Sequence, residues 1–294
     1  MSITDVVYFK NAQEVLTHGR FSNDRTQTGM IARTGTSARY ENVGENFPLL
    51  TTKRVPFKLV LSELLWFLTG NTNIRPLLQV KCHIWSEWPW KKYVDKTGHK
   101  ISIQEFESKI LEDEQFAQEY GDLGPVYGKQ WRDCNGIDQF ANVIEALRNN
   151  PTDRGHIISG WHVPDLGQMA LRPCHTLYQF FPTGNKLDLI MYQRSGDMFL
   201  GVPFNIASCA ILIHMVAKLT GYEPGDLIHD QGVSHFYTNH LDQITQQMQN
   251  SPYRYQCPKL KIHGDQKSID CFKLDDFELT GYQSYPTIKG DVAI

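Results

Sequence analysis

Apolar residues at helical spacing occur in a few well-separated stretches, and these set the skeleton that the chain predicts. After Thr4-Asp5, the run VVYFKNAQEVLTHG predicts an N-capped amphipathic helix ending at Gly19. Thr51-Thr52-Lys53 opens a strongly apolar helix, FKLVLSELLWFLTG, which carries Glu63 among Leu61, Leu64, Leu65 and Trp66. Ile137 to Asn149 predicts a helix halted at Pro151, and Pro203 to Leu219 a long apolar one ended by Gly221. Short apolar runs at His156 to Trp161, Thr176 to Phe181 and Lys186 to Gln193 predict strands, the last two joined through Pro182-Thr183-Gly184-Asn185. Residues 92–118 are charged and unpatterned, as in a small insertion or helical excursion. The C-terminal part reads as strands with a short acidic helix. With no internal repeat, low-complexity tract or linker, one α+β domain over residues 1–294 is the economical reading.

Composition narrows the class. A chain of 294 residues with 41% hydrophobic content can bury a large core, and a net charge of -3 argues against sequence-independent nucleic-acid binding. Any anionic ligand is then small and met by a local basic pocket. No run of 18 uninterrupted apolar residues occurs, and MSITDVVYFKNAQ has neither the charged nor the apolar region of a signal peptide, so a cytosolic protein without a membrane partner is expected. The six cysteines, Cys82, Cys134, Cys174, Cys209, Cys257 and Cys271, lack CxxC spacing. That suits a reducing compartment and disfavours a zinc site or a disulfide framework.

Several polar residues stand where chemistry or plain packing would both explain them. The loop Asn23 to Gly29 is either a solvated turn or an anion-binding loop built on Arg25. Glu63 is either on the solvated edge of its helix or held for proton chemistry. Trp85, Trp88 and Trp90 suit packing, and Tyr127, between the turns of Gly121 to Gly128, suits a side chain projecting into a cleft. Cys174 lies between Pro173 and His175. Neighbouring strand residues point to opposite faces, which excludes a cysteine-protease type of thiol-imidazole pair. A thiolate there needs a cation, and Arg194, in the turn Gln193-Arg194-Ser195-Gly196-Asp197 across the hairpin, is the candidate.

The strings PCHTLYQFF, YQRSGDMFLGVPFNIAS and HFYTNH, together with NDRTxTG, PLLTTKR, ELLWFLTGNTN, IWxEW and GDLGPVYGKQWRD, resemble the thymidylate synthase family in order from about residue 5 to the C-terminus. The resemblance implies a large mixed β-sheet flanked by helices, in a homodimer that packs sheet against sheet. It implies 2'-deoxyuridine 5'-monophosphate (dUMP) as substrate and 5,10-methylenetetrahydrofolate as one-carbon and hydride donor, with no metal. Cys174 would add as thiolate to uracil C6. Asn205 would read the pyrimidine edge, Glu63 would order waters and move protons, and Tyr127 would help remove the C5 proton. Arg25 and Arg194 would bind phosphate together with Arg154 from the partner subunit. Gln193, Ser195, Gly196 and Asp197 would line the nucleotide, and His235 and Tyr237 would hold the sugar 3'-hydroxyl. Asp197 would hold the pterin, with Trp85, Leu200, Gly201 and Phe204 as apolar walls. The ending Val292-Ala293-Ile294 would close over the folate.

Departures from that pattern leave other outcomes open. Gly155 stands where a second phosphate arginine is usual, with His156 or Arg172 as the possible replacement cation; losing one charge-assisted contact costs on the order of 1.5–3 kcal/mol. His162, Gln27, Ser86 and Val233 are also atypical. They motivate a uridylate or deoxyuridylate hydroxymethylase, in which water traps the exocyclic methylene intermediate. An idle nucleotide- or RNA-binding homologue is the third reading, against which stands the joint presence of Cys174, Glu63, Tyr127, Arg194 and Asn205.

Overall fold

A six-stranded sheet organises the computed structural model, which describes residues 1–24 and 26–292. Its strands are β1 (Arg20–Ser22), β2 (Met30–Tyr40), β3 (Ile157–Ser159), β4 (His175–Thr183), β5 (Lys186–Asp197) and β6 (Glu223–Tyr237), in the spatial order β1-β2-β6-β5-β4-β3. Neighbours are antiparallel except β5 and β6, which run parallel with Asp197 opposite His235. A parallel pair needs a crossover, and the helix Gly201–Thr220 supplies it. That helix is apolar all round because it is buried on nearly every side. Its length and composition would let it cross a membrane, but 83% of it is buried inside the fold, as a core helix is. It begins two residues before the expected Pro203 and stops at Gly221, which takes the left-handed φ of 83° that a side chain would resist.

The pleat sorts the sheet into two faces. Tyr178, Phe180, Leu189, Met191, Leu227 and His229 point inward and are buried. The opposite face leaves Ile157, Phe181 and Tyr192 at 39%, 37% and 45% exposed, an uncovered stripe of large apolar groups. Strands β2 and β6 are the longest departure from expectation. The stretch Arg33-Thr34-Gly35-Thr36-Ser37 carries too little apolar alternation to announce a strand, yet β2 pairs along β6 from Met30–Tyr237 to Tyr40–Leu227.

Several boundaries also move. The hairpin turn is only Gly184-Asn185, with Pro182 and Thr183 inside β4, and the strand expected at His156 to Trp161 shortens to β3. The helix expected from Ile137 begins at Gln139, capped by the Asp138 side chain. The charged excursion is helical, Glu87–Thr97, Ile103–Glu112 and Glu114–Tyr120, with a Ser102–Glu105 capping box. Tyr93, Phe106, Phe116 and Tyr120 form its aromatic centre, with ring centroids 4.8–5.7 Å apart.

The first helix spans Ile3–His18 and is capped by Ser2, not by Thr4-Asp5. Asp5 has a different task. Its buried carboxylate accepts from the Thr51 and Thr52 backbone N–H groups at 2.9 and 3.0 Å and from their hydroxyls at 2.9 and 2.6 Å. This pins the turn that sets Lys53 and leads into the helix Phe57–Leu68 bearing Glu63. Replacing the carboxylate by a methyl group strands four buried donors. Asp5→Ala is therefore expected to lower unfolding stability by about 3–5 kcal/mol, read as a shifted urea midpoint; a loss under about 1 kcal/mol would show that the turn holds itself.

Candidate active site

The thiol sits where β4 starts. Cys174 immediately precedes that strand, next to a register irregularity between His175 and Leu177. Arg194, on β5, straps the incoming segment. Its backbone N–H donates to the Cys174 carbonyl at 2.7 Å, its Nε to the Pro173 carbonyl at 3.2 Å and its Nη2 to the Arg172 carbonyl at 3.1 Å. The same Nη2 lies 3.7 Å from Cys174 Sγ. From the other side the Cys174 N–H donates to Tyr127 Oη at 2.9 Å. Tyr127 is buried in a ring cluster with Phe67, Trp85, Trp131 and His175. His175 turns away from the thiol: its Nδ1 pairs with Tyr178 Oη at 2.9 Å, and burial lowers its pKa to about 4.

The expected activation of the thiol by Arg194 is only half of what the surroundings do. Burial pushes the Cys174 pKa up, Arg194 and Tyr127 pull it back down, and the net result stays above the ordinary thiol value.

Glu63 is paired within the fold. Its carboxyl accepts from Trp85 Nε1 at 2.7 Å, and burial, opposed only by that bond, raises its pKa to about 7. Asn205, one turn into the crossover helix, is oriented by an amide relay. Gln193 Nε2 donates both to the Ser195 carbonyl and to Asn205 Oδ1 at 2.9 Å, and His229 Nε2 donates to Gln193 Oε1 at 2.8 Å. A backbone carbonyl can only accept, so Ser195 fixes the face of Gln193 and, through it, that of Asn205. Burial lowers the His229 pKa to about 3, which keeps that donor neutral.

Asp197 ends β5. Its Oδ1 accepts from the Phe199 and Leu200 N–H groups at 2.9 and 3.2 Å. Beside it Lys53, 5% exposed, donates to the Phe199 carbonyl and sits 3.5 Å above the Phe199 ring. Burial lowers its pKa to about 7 against the pull of Asp197. Lys53 was visible in sequence only as a helix opener; a lysine between two threonines and a buried helix was the available signal. A cavity of about 300 Å³ adjoins it, lined by Val55, Leu200, Phe204, Ile288 and Gly290 among others. Gly201 opens the helix there, whereas Trp85 belongs to the Glu63 side.

On β6, His235 is 4% exposed with neither ring nitrogen hydrogen-bonded among the described residues, and the Tyr237 ring lies 4.8 Å away. A buried donor-acceptor left open in this way fits a ligand hydroxyl. The loop before β2 is tied by Asp24, which accepts from the Thr26 and Gly29 N–H groups at 2.6 Å, and Gln27 takes a left-handed φ of 60°. Arg25, Ala293 and Ile294 lie outside the described residues. Arg154 does not join the cluster. Its carbonyl accepts from Gln179, five residues and roughly 17 Å along β4 from Cys174. Among the atypical positions, Ser86 and His156 are buried, His162 pairs with Asp165 at 3.0 Å, and Arg172 is exposed. No group of three or more His, Cys, Asp or Glu residues among those described could hold a metal.

A strapped thiol, a carboxyl titrating near neutrality and an orientation-locked carboxamide are groups that nucleophilic addition can use, set here on a mixed α+β frame. The chain belongs to the thymidylate synthase family, whose model matches residues 6–294. It is 47% identical over 290 residues to a thymidylate synthase of Mycoplasma mobile, covering 98% of this chain and 99% of that one. To the thymidylate synthase of Mycoplasma pneumoniae it is 46% identical over 289 residues, with the same coverage.

The raised carboxyl predicts a stability signature. A glutamate with a folded pKa near 7 costs nothing while protonated, and its penalty grows as pH rises from the unfolded value of about 4.5 through 7. Glu63→Gln retains the acceptor for Trp85 without the charge. It is expected to be more stable than the parent by roughly 2 kcal/mol at pH 8 and little different at pH 5, while losing most turnover; equal stability at both pH values would contradict the buried carboxyl.

Proposed function

We infer that this chain converts dUMP to thymidine 5'-monophosphate by reductive methylation, with Cys174 as the nucleophile. The observation that carries the reading is the Arg194 strap, which holds the Cys174 sulfur beside a guanidinium, while Tyr127 joins Cys174 to the Trp85–Glu63 pair and Gln193, opposite His175 on the next strand, holds Asn205. Sulfur adds to uracil C6 and makes C5 electron-rich, the step that a poor carbon nucleophile needs. Asn205 donates its Nδ2 to O4, where charge develops, and accepts from N3–H with the free lone pair of Oδ1. Cytosine presents the reverse pattern, and turning the amide over would set it donor to donor against Gln193. Glu63, titrating near 7, relays protons to the ring edge through water, and Tyr127, whose oxygen already meets the Cys174 N–H, lies beside the C5 proton.

Arg194 and Arg25 hold the phosphate dianion, and Ser195 and Gly196 follow the nucleotide along β5. His235 and Tyr237 take the sugar hydroxyl. 5,10-Methylenetetrahydrofolate supplies the one-carbon unit and the hydride. The cavity lined by Lys53, Leu200 and Phe204 suits it: Leu200 and Phe204 give apolar walls, Lys53 a polar contact, and Asp197, which accepts from the Leu200 N–H, lies behind that wall next to the start of the helix at Gly201. Trp85 stays bonded to Glu63 and does not line that cavity, which the ending with Ala293 would cover.

Arg154 lies too far along β4 to serve its own thiol, which supports a homodimer that exchanges this arginine. The uncovered sheet face with Ile157, Phe181 and Tyr192 is the surface that a second copy would cover. A cytoplasmic location suits the free cysteines. The hydroxymethylase reading is the weaker one, since both relatives of matching length are synthases and His162 and Ser86 are held within the fold.

Incubating the protein and methylenetetrahydrofolate with each pyrimidine monophosphate, dUMP, UMP, dCMP and CMP, is expected to give a methylated product from dUMP alone, with stoichiometric dihydrofolate; a hydroxymethyl product or a preference for UMP would overturn the assignment. For the dimer, Arg154→Ala and Cys174→Ser are each expected to be nearly inactive. Remixed in equal amounts after reversible dissociation, they should recover about a quarter of parental activity, because half of the dimers then hold one intact site. No recovery would show that Arg154 does not act across subunits.

A further inference from the structure

The C-terminal segment meets the fold through one buried imidazole. His240 follows β6 and is fully enclosed. Its Nε2 lies 2.7 Å from the Asp291 backbone carbonyl, and its Nδ1 faces Asp197 Oδ1 at 3.9 Å. Because the carbonyl can only accept, Nε2 carries a proton and donates it there, and Nδ1 is the ring nitrogen nearer the carboxylate. That nitrogen makes no hydrogen bond among the described residues. Asn239 Nδ2 reaches the same carbonyl at 3.4 Å. The close approach needs Gly290: a Cβ there would come within 2.9 Å of the Phe199 ring and 3.1 Å of the His240 ring. Phe199 in turn stacks on His240, with ring centroids 5.1 Å apart, and receives the Lys53 ammonium on its ring.

We propose that His240 is a positioning residue that clasps the C-terminal segment onto the cofactor-side wall and couples that clasp to the adjoining cavity. The proposal rests on the folate reading of that cavity. The coupling runs through the shared cavity: residues 287–291 line it, so a ligand there packs on the docked segment and favours the clasp, and by linkage a docked segment tightens the ligand to the same degree.

The test uses the full-length protein and three variants, His240→Phe, His240→Gln and Gly290→Ala, with two readouts. Amide hydrogen exchange of residues 286–292, measured without ligand, is expected to quicken about tenfold in His240→Phe and Gly290→Ala. In His240→Gln, whose amide N–H reaches the same carbonyl, exchange is expected to stay close to the parent. The KM for methylenetetrahydrofolate is expected to rise at least about fivefold in the first two, with the KM for dUMP within about twofold. Unchanged exchange in His240→Phe overturns the clasp, as does His240→Gln behaving like His240→Phe. Altered exchange with an unaffected folate KM overturns the coupling to the pocket. Failure of the reaction assignment would show differently, as exchange changes in a protein that makes no methylated product. Should His240→Phe not fold, Gly290→Ala probes the same contact from the segment side, and parental exchange and KM values in it overturn the proposal.

Discussion

One arginine holds in place the segment that carries the proposed nucleophile and faces its sulfur. Arg194 bonds to the carbonyls of Arg172, Pro173 and Cys174 in succession and still sets an N–H 3.7 Å from the sulfur. Three backbone carbonyls entering β4 would otherwise need other partners. The cation is fixed by structure before any ligand arrives, the condition under which a charge acts in a reaction without reorganising. Its pull on the sulfur does not exceed the effect of burial, which holds the thiol pKa above its ordinary value.

The surrounding groups follow the same logic with opposite signs. Burial raises Glu63 to about 7 and lowers Lys53 to about 7, bringing an acid and a base from opposite ends of the scale to neutrality. The enclosed histidines go further: His175 at about 4 and His229 at about 3 stay uncharged and serve as fixed hydrogen-bonding parts. Asp5 shows what supports this arrangement from behind, since the turn it binds delivers both Lys53 and the Glu63 helix.

Helices with apolar periodicity and strands with aromatic alternation were legible in the chain. β2 was not, because its outward positions are Arg33, Gly35, Ser37 and Arg39 and its inward ones include Thr36; pairing with β6, not composition, makes it a strand. Residues 92–118 stood open between an insertion and a helical excursion, because charge blurs their pattern, although Ser102–Glu105 and the pair Phe106 and Ile110 carried a cap and a helical face. Within the site, Cys174, Glu63 and Arg194 stood out by chemical type, whereas His229 and His240 did not. Their roles depend on which atoms lie opposite them across β5 and at residue 291, and no local pattern encodes that.

The central claim is that the strapped sulfur bonds to a uracil ring. The most direct measurement is mass spectrometry under denaturing conditions after incubation with 5-fluoro-2'-deoxyuridine 5'-monophosphate and methylenetetrahydrofolate, since fluorine at C5 blocks the later proton loss and traps the adduct. The account predicts one covalent nucleotide per chain, mapped to Cys174 and absent in Cys174→Ser. An unmodified chain, or an adduct on any of the other five cysteines, would contradict it.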